Sequence, residues 1–178
     1  MVTQIFCAID DMEPSENAAD FAISLASQLS AGLVFYMVNP ATASRLHETQ
    51  TYLWTDSYVK GHLDEAARRA RQVGLRRVSC ETHRATSVAS AIVTCADLYE
   101  ADLIVVGASS RRRIVDFFRR TVSKVVADTA SCPVLIVRHV RGRGARRNPG
   151  PQHYRHRSLS TAGETAGESR SSDSTAAE

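Results

Sequence analysis

Long apolar runs are missing from this 178-residue chain. Stretches such as Leu103 to Val106 and Val134 to Val137 fall far short of the ~20 residues a membrane span requires. The opening, Met1-Val-Thr-Gln-Ile-Phe-Cys7, has neither the basic start nor the long apolar region of a signal peptide. The expectation is a cytoplasmic protein, neither secreted nor membrane-bound. Paired cysteines are also missing. Cys7, Cys80, Cys95 and Cys132 form no C-x-x-C and each lies in an apolar segment, which reads as small buried hydrophobes in a reducing compartment.

An excess of one charge is absent from most of the chain. Residues 1–140 carry 15 Lys+Arg and 15 Asp+Glu, so no global basic surface for nucleic acid is present. The formal net charge of +3 arises in residues 141–178, where Arg141 to Arg157 holds six Arg and no acid. Enzyme signatures are lacking as well. There is no G-x-S-x-G elbow, H-E-x-x-H helix or G-x4-G-K-[ST] loop. His47, His62, His83 and His139 show no metal-ligand spacing. The chain is therefore not expected to be an enzyme.

What is present is alternation between two periods. Gln4 to Ile9, Leu33 to Val38, Leu75 to Thr82, Asp102 to Gly107 and Pro133 to Val137 read as short strands. Between them lie helical patterns. The first opens at Pro14-Ser15-Glu16, shows an apolar face of Ala18, Phe21, Ala22, Leu25 and Leu29, and stops at Gly32. The second runs from about Tyr52 to Val73, ended by Gly74. The third is capped at Thr86-Ser87, with a face of Val88, Ala91, Ile92, Cys95 and Tyr99. The fourth shows Val115, Phe118, Val122, Val125 and Val126. Residues 41–50 carry no readable pattern. Apolar strands alternating with amphipathic helices imply an α/β fold, a parallel doubly wound, Rossmann-like sheet with helices on both faces. Residues 1–140 form this domain. Residues 141–178 follow neither period and are expected to be a disordered tail, Arg-rich and then rich in Ser, Thr and Glu.

In such a sheet ligands bind beyond the carboxyl ends of the strands, where the strand order reverses. Two loops qualify: Asp10-Asp11-Met12, and Gly107-Ala-Ser-Ser110-Arg-Arg-Arg113. The second feeds a helix, whose free amides and dipole suit an anion. Asp10 has two readings, a partner for magnesium or a ribose, or a cap on the first helix. Val38 closes a buried strand and is as readily plain core.

The segments Glu100-Ala-Asp-Leu-Ile-Val-Val-Gly107 and Ala130-Ser-Cys-Pro-Val-Leu-Ile-Val-Arg138, with the early Asp10, give the chain a resemblance to the universal stress protein family over about residues 3–139. The resemblance implies a five-stranded parallel sheet in the order 3-2-1-4-5 and homodimers formed through the last strands. It also implies an ATP site, with a phosphate loop of the form G-x2-G-x9-G-[ST]. Here Gly107 matches the first glycine, Ser110 and Arg120 replace the other two, and Thr121 matches the Ser/Thr. Carried over, the nucleotide site comprises Ile9, Asp10, Val38, Gly107, Ser110, Arg120, Thr121 and Val122, with Asp10 able to hold magnesium and Val38 flanking the adenine.

Ser110 keeps a small side chain with a hydroxyl. Arg120 is harder to place: it fills the phosphate space or swings outward to pair with phosphate. Two functions follow from the resemblance. One is a dimeric stress-response module that binds an adenine nucleotide. The other is a nucleotide-free interaction protein acting through its dimer face and tail. Arg141 to Arg157 offers at most weak contact with nucleic acid. The amidases and pyrophosphatases of similar fold carry S-G-G-x-D-S after the first strand, where this chain reads Asp10-Asp-Met-Glu-Pro-Ser15.

Overall fold

The computed structural model describes residues 1–42, 50–108 and 121–138. All of them belong to one unit, Met1–Arg141. The expected tail at 141–178 and the arginines at 111–113 and 119–120 lie outside the described residues, as do Val115 and Phe118.

In chain order the elements are β1 (Gln4–Ala8), α1 (Glu13–Leu29), β2 (Gly32–Thr42), β3 (Thr51–Tyr52), α2 (Asp56–Gln72), β4 (Val78–Ala85), α3 (Val88–Leu98), β5 (Leu103–Gly107), α4 (Val122–Thr129) and β6 (Val134–Val137). β1 lies parallel between β2 and β5, β6 adds to β5, and β4 adds to β2. α1 and α2 cover one face around Cys7, Phe35 and Val105. α3 and α4 cover the other around Phe6, Tyr36 and Ile104. Burial on both faces is what the unbroken apolar strands require. Among the described residues no helix is long and apolar enough to cross a membrane.

The count of five strands is corrected to six, along the path β3-β2-β1-β5-β6 with β4 bonded to β2. The extra strand arises because β2 does not close at Asn39-Pro40. Pro40 lacks an N–H but tolerates extended backbone, and β2 continues past the last partner that β4 offers. Beyond that point Ala41 and Thr42 pair antiparallel with Tyr52 and Thr51, and the Pro40 carbonyl accepts the Leu53 N–H at 3.0 Å.

α1 buries Ala18 and Ala22 of the face expected of it and packs Leu25 against the core, but is turned away from Phe21 and Leu29. Its buried residues are Ser15, Ala18, Ala19, Ala22, Ile23 and Ala26, while Phe21 and Leu29 are exposed. Small side chains let the helix lie close to the sheet, with Ile23 the one large side chain among those it buries. α3 buries Ala89, Ile92, Cys95 and Ala96, and Val88, Ala91 and Tyr99 of its expected face pack beside them. Nor does Gly32 stop α1. Ser30 takes the left-handed turn (φ 55°) and Gly32 begins β2. Gly74 does end α2 as expected, at φ 91°.

Candidate functional site

The five parallel strands run β4-β2-β1-β5-β6 across the sheet. From β1 the chain winds outward through β2 to β4, then returns to the other side of β1 as β5. The winding therefore reverses between β1 and β5, and the carboxyl ends of these two strands flank the crevice where ligands collect in sheets of this kind.

Ile9 leaves β1 with its N–H donating to the Tyr36 carbonyl at 2.8 Å. The Asp10 N–H then donates to Ser15 Oγ at 2.7 Å, and Asp10 Oδ1 accepts the Met12 N–H at 2.9 Å. Met12 is the N-cap of α1 but its side chain caps nothing. Asp10 and the buried Ser15 thus fix the turn into α1 in its place. Asp10 is exposed.

Gly107 ends β5 opposite this turn. A Cβ there would stand 2.6 Å from the Pro14 carbonyl oxygen and 2.9 Å from the Ser15 nitrogen, so the start of α1 packs on bare backbone. The glycine meets a close approach within the protein itself. Ala108 follows, its N–H donating to the Val137 carbonyl at 2.8 Å. Val38 is buried in the cluster with Phe6 and Tyr36.

Thr121 caps α4, its Oγ1 accepting the Lys124 N–H at 3.3 Å, and Val122 opens the helix half-exposed. Ser110 and Arg120 lie outside the described residues. The structure therefore gathers Ile9, Asp10 and Gly107 around the first turn of α1, with Val38 two residues beyond Tyr36 on the neighbouring strand.

Three further residues adjoin this place without having been singled out from the sequence. Asn39, fully buried, donates Nδ2–H to the Trp54 carbonyl at 2.7 Å and accepts the Trp54 N–H on Oδ1 at 3.0 Å. Trp54 stacks on Tyr58 with ring centroids 6.2 Å apart. The Tyr58 hydroxyl in turn donates to Asp11 Oδ2 at 3.4 Å, and desolvation together with that carboxylate raises its pKa. The only hint in the sequence was a polar residue at the end of an apolar run.

A separate groove of about 620 Å³ lies between β4 and α3, lined among others by Tyr36, His83, Arg84, Ser90 and Cys95. Among the described residues, none of those expected at the nucleotide site lines it. Among the described residues no three His, Cys, Asp or Glu side chains come together to hold a metal.

No curated relative matches the chain. Solved structures do. A universal stress protein in complex with cAMP is 24% identical, with a TM-score of 0.62 over 76% of this chain and 97% of that one. A family member from Arabidopsis thaliana with AMP bound is 14% identical, with a TM-score of 0.54 over 78% and 93%. The universal stress protein from Archaeoglobus fulgidus in complex with dAMP is 20% identical, with a TM-score of 0.52 over 77% and 98%. At these identities the likeness is one of fold. The model of the universal stress protein family matches residues 1–138, which is most of the sequence, and the chain belongs to that family.

Proposed function

We propose that the protein binds an adenine nucleotide, with ATP as the expected form, in the crevice between the exits of β1 and β5. It would act there as a dimeric, cytoplasmic stress-response protein that signals by binding rather than by catalysis. The observation that carries this reading is that Asp10, just past the end of β1, and Gly107, at the end of β5, lie at the exits of the two strands where the winding reverses. The named nucleotide complexes of cAMP, AMP and dAMP among structures of the same fold support the ligand class. In this reading the phosphates meet the loop from Gly107 through Ser110 and Arg120 to the α4 cap at Thr121 and Val122. The ribose faces Ile9 and Asp10, and the base lies beside Val38. The one exposed Asp10 carboxylate, already bonded to Met12, fits a magnesium ion held chiefly by phosphates. β6 has β5 as its partner and is the edge assigned to the dimer.

Calorimetric titration of the full chain with ATP, AMP and cAMP, with and without magnesium, tests the reading. Binding is expected to raise thermal stability by about 1.4 kcal/mol for each tenfold of ligand above Kd. Neither heat nor stabilisation at millimolar nucleotide overturns it.

The nucleotide-free alternative draws on Gly107, whose packing on Pro14 and Ser15 accounts for a glycine without any ligand. It predicts that only the double variant Ser110→Gly with Arg120→Gly gains ATP binding.

A further inference from the structure

We infer that the groove between β4 and α3 is a second binding site, separate from the nucleotide crevice, for a neutral flat ring compound that carries hydroxyl groups.

The groove exists because α3 leaves one side of β4 unfilled. α3 packs through Ala89, Ile92, Cys95 and Ala96 in the core cluster that holds Phe6, Val34 and Tyr36 of β1 and β2. β4 lies beyond β2, which is its one partner among the described strands. Of the apolar residues of β4, Ala85 packs against this cluster, while Val78 and Cys80 pack against the other. The space left between strand and helix is about 620 Å³, within the range of small-molecule sites.

One wall is a stripe of α3. Ser87, Ser90, Ala91, Thr94, Cys95 and Leu98 line the groove, spaced three and four residues apart as one helix face requires. Ser87, Ser90 and Thr94 are exposed. The Ser87 hydroxyl donates to Ser90 Oγ at 3.0 Å, which leaves the Ser90 hydrogen for a ligand. Rings supply much of the rest. Tyr36 and His83 both line the groove, with ring centroids 5.7 Å apart. Tyr36 is buried and His83 exposed. Tyr52 contributes a third ring.

The charges beside the groove are already answered within the protein. Arg84 is the one Lys, Arg, Asp or Glu among the described residues that line it. Its Nη2 donates to both oxygens of Asp56 at 2.8 Å, and its guanidinium lies 4.9 Å from the centre of the Tyr52 ring. Glu81, two residues before His83 and on the same side of β4, accepts the Tyr99 hydroxyl. A charged ligand would shed water here without gaining an ion pair. Hydroxyls that both donate and accept, set beside rings and aliphatic carbon, suit a neutral ring with hydroxyl groups.

The experiment follows amide NMR of the full chain with two probes of one shape. Dihydroxynaphthalene is neutral; naphthalene disulfonate puts two charges on the same ring system. The diol should shift the amides of Ser90, Ala91 and Thr94 and leave those of Asp10 and Gly107 in place. The disulfonate should bind about tenfold more weakly or worse. Ser90→Phe and Thr94→Phe place a ring in the groove from exposed positions of α3, and each should weaken the diol about tenfold. His83→Ala removes one ring and should cost about threefold to tenfold. Thermal midpoints check that the variants fold; if both phenylalanine variants fail, the wild-type shifts and His83→Ala decide.

The site is overturned if millimolar diol leaves the α3 amides unmoved. Wild-type diol affinity in the folded variants also overturns it. Equal affinity for the two probes overturns the neutral ligand class, and the proposal with it.

Discussion

Gly107 and Pro14 meet backbone to backbone, so closely that any side chain on Gly107 would collide with the Pro14 carbonyl. The end of β5 and the start of α1 are thereby locked together beneath the crevice. Gly107→Ala should destabilise the fold by ~1–3 kcal/mol, as overpacking against unyielding atoms does, read as a lower denaturant midpoint. Gly32→Ala is the control. There the obstacle is the end of the flexible Gln4 side chain, which can turn aside, and the midpoint should move much less. Equal losses at both positions would refute this account.

Asp102 ties the sheet to the start of the chain. Its Oδ2 accepts from the Thr3 N–H at 2.6 Å, the Thr3 hydroxyl at 2.8 Å and the Gln4 N–H at 3.0 Å. Hydrogen bonds from Thr3, then from Gln4, hold its pKa below the ordinary 3.8. A depressed carboxylate contributes stability that is present above the unfolded pKa and is lost as pH falls through the folded one. Asp102→Asn should therefore be less stable than wild type at neutral pH, and the gap should close below about pH 4. Unfolding curves across pH 2–7 check this; a gap that does not change with pH would refute it.

Cys7 lies fully buried in β1, and desolvation pushes its thiol up to about 12. Because the thiolate is the reactive form, native protein treated with a thiol reagent near pH 8 should be modified at the partly exposed Cys80 and Cys132 well before Cys7. Peptide mapping after timed quenching gives the order. Early labelling of Cys7 would show that β1 opens readily.

Much of this architecture was legible in the sequence because both of its periods are local. Leu103 to Val106 needs burial on two faces wherever it goes, and Gly74 ends α2 through its own backbone freedom. The turn into α1 was partly legible too: Pro14-Ser15-Glu16 announces a helix start. The phosphate-loop spacing could be counted from Gly107 to Thr121.

Other features depended on residues distant in the chain. Apolar periodicity placed Ala18 and Ala22 inward, as they are, but also Phe21 and Leu29, which are exposed, in place of Ala19, Ile23 and Ala26. Asn39 read as the end of a strand, because its partner is Trp54 and no local pattern encodes a side-chain amide that stands in for a strand. Folding also brings Pro14 against Gly107, a close approach that no local pattern announces. The sequence by itself determined the alternation of elements, the burial of the central strands and the family. Tertiary structure alone decided which helix faces touch the sheet, where the sixth strand forms and what surrounds the crevice. Those outcomes depend on distances between segments far apart in the chain, and a period of two or 3.6 residues carries no information about such distances.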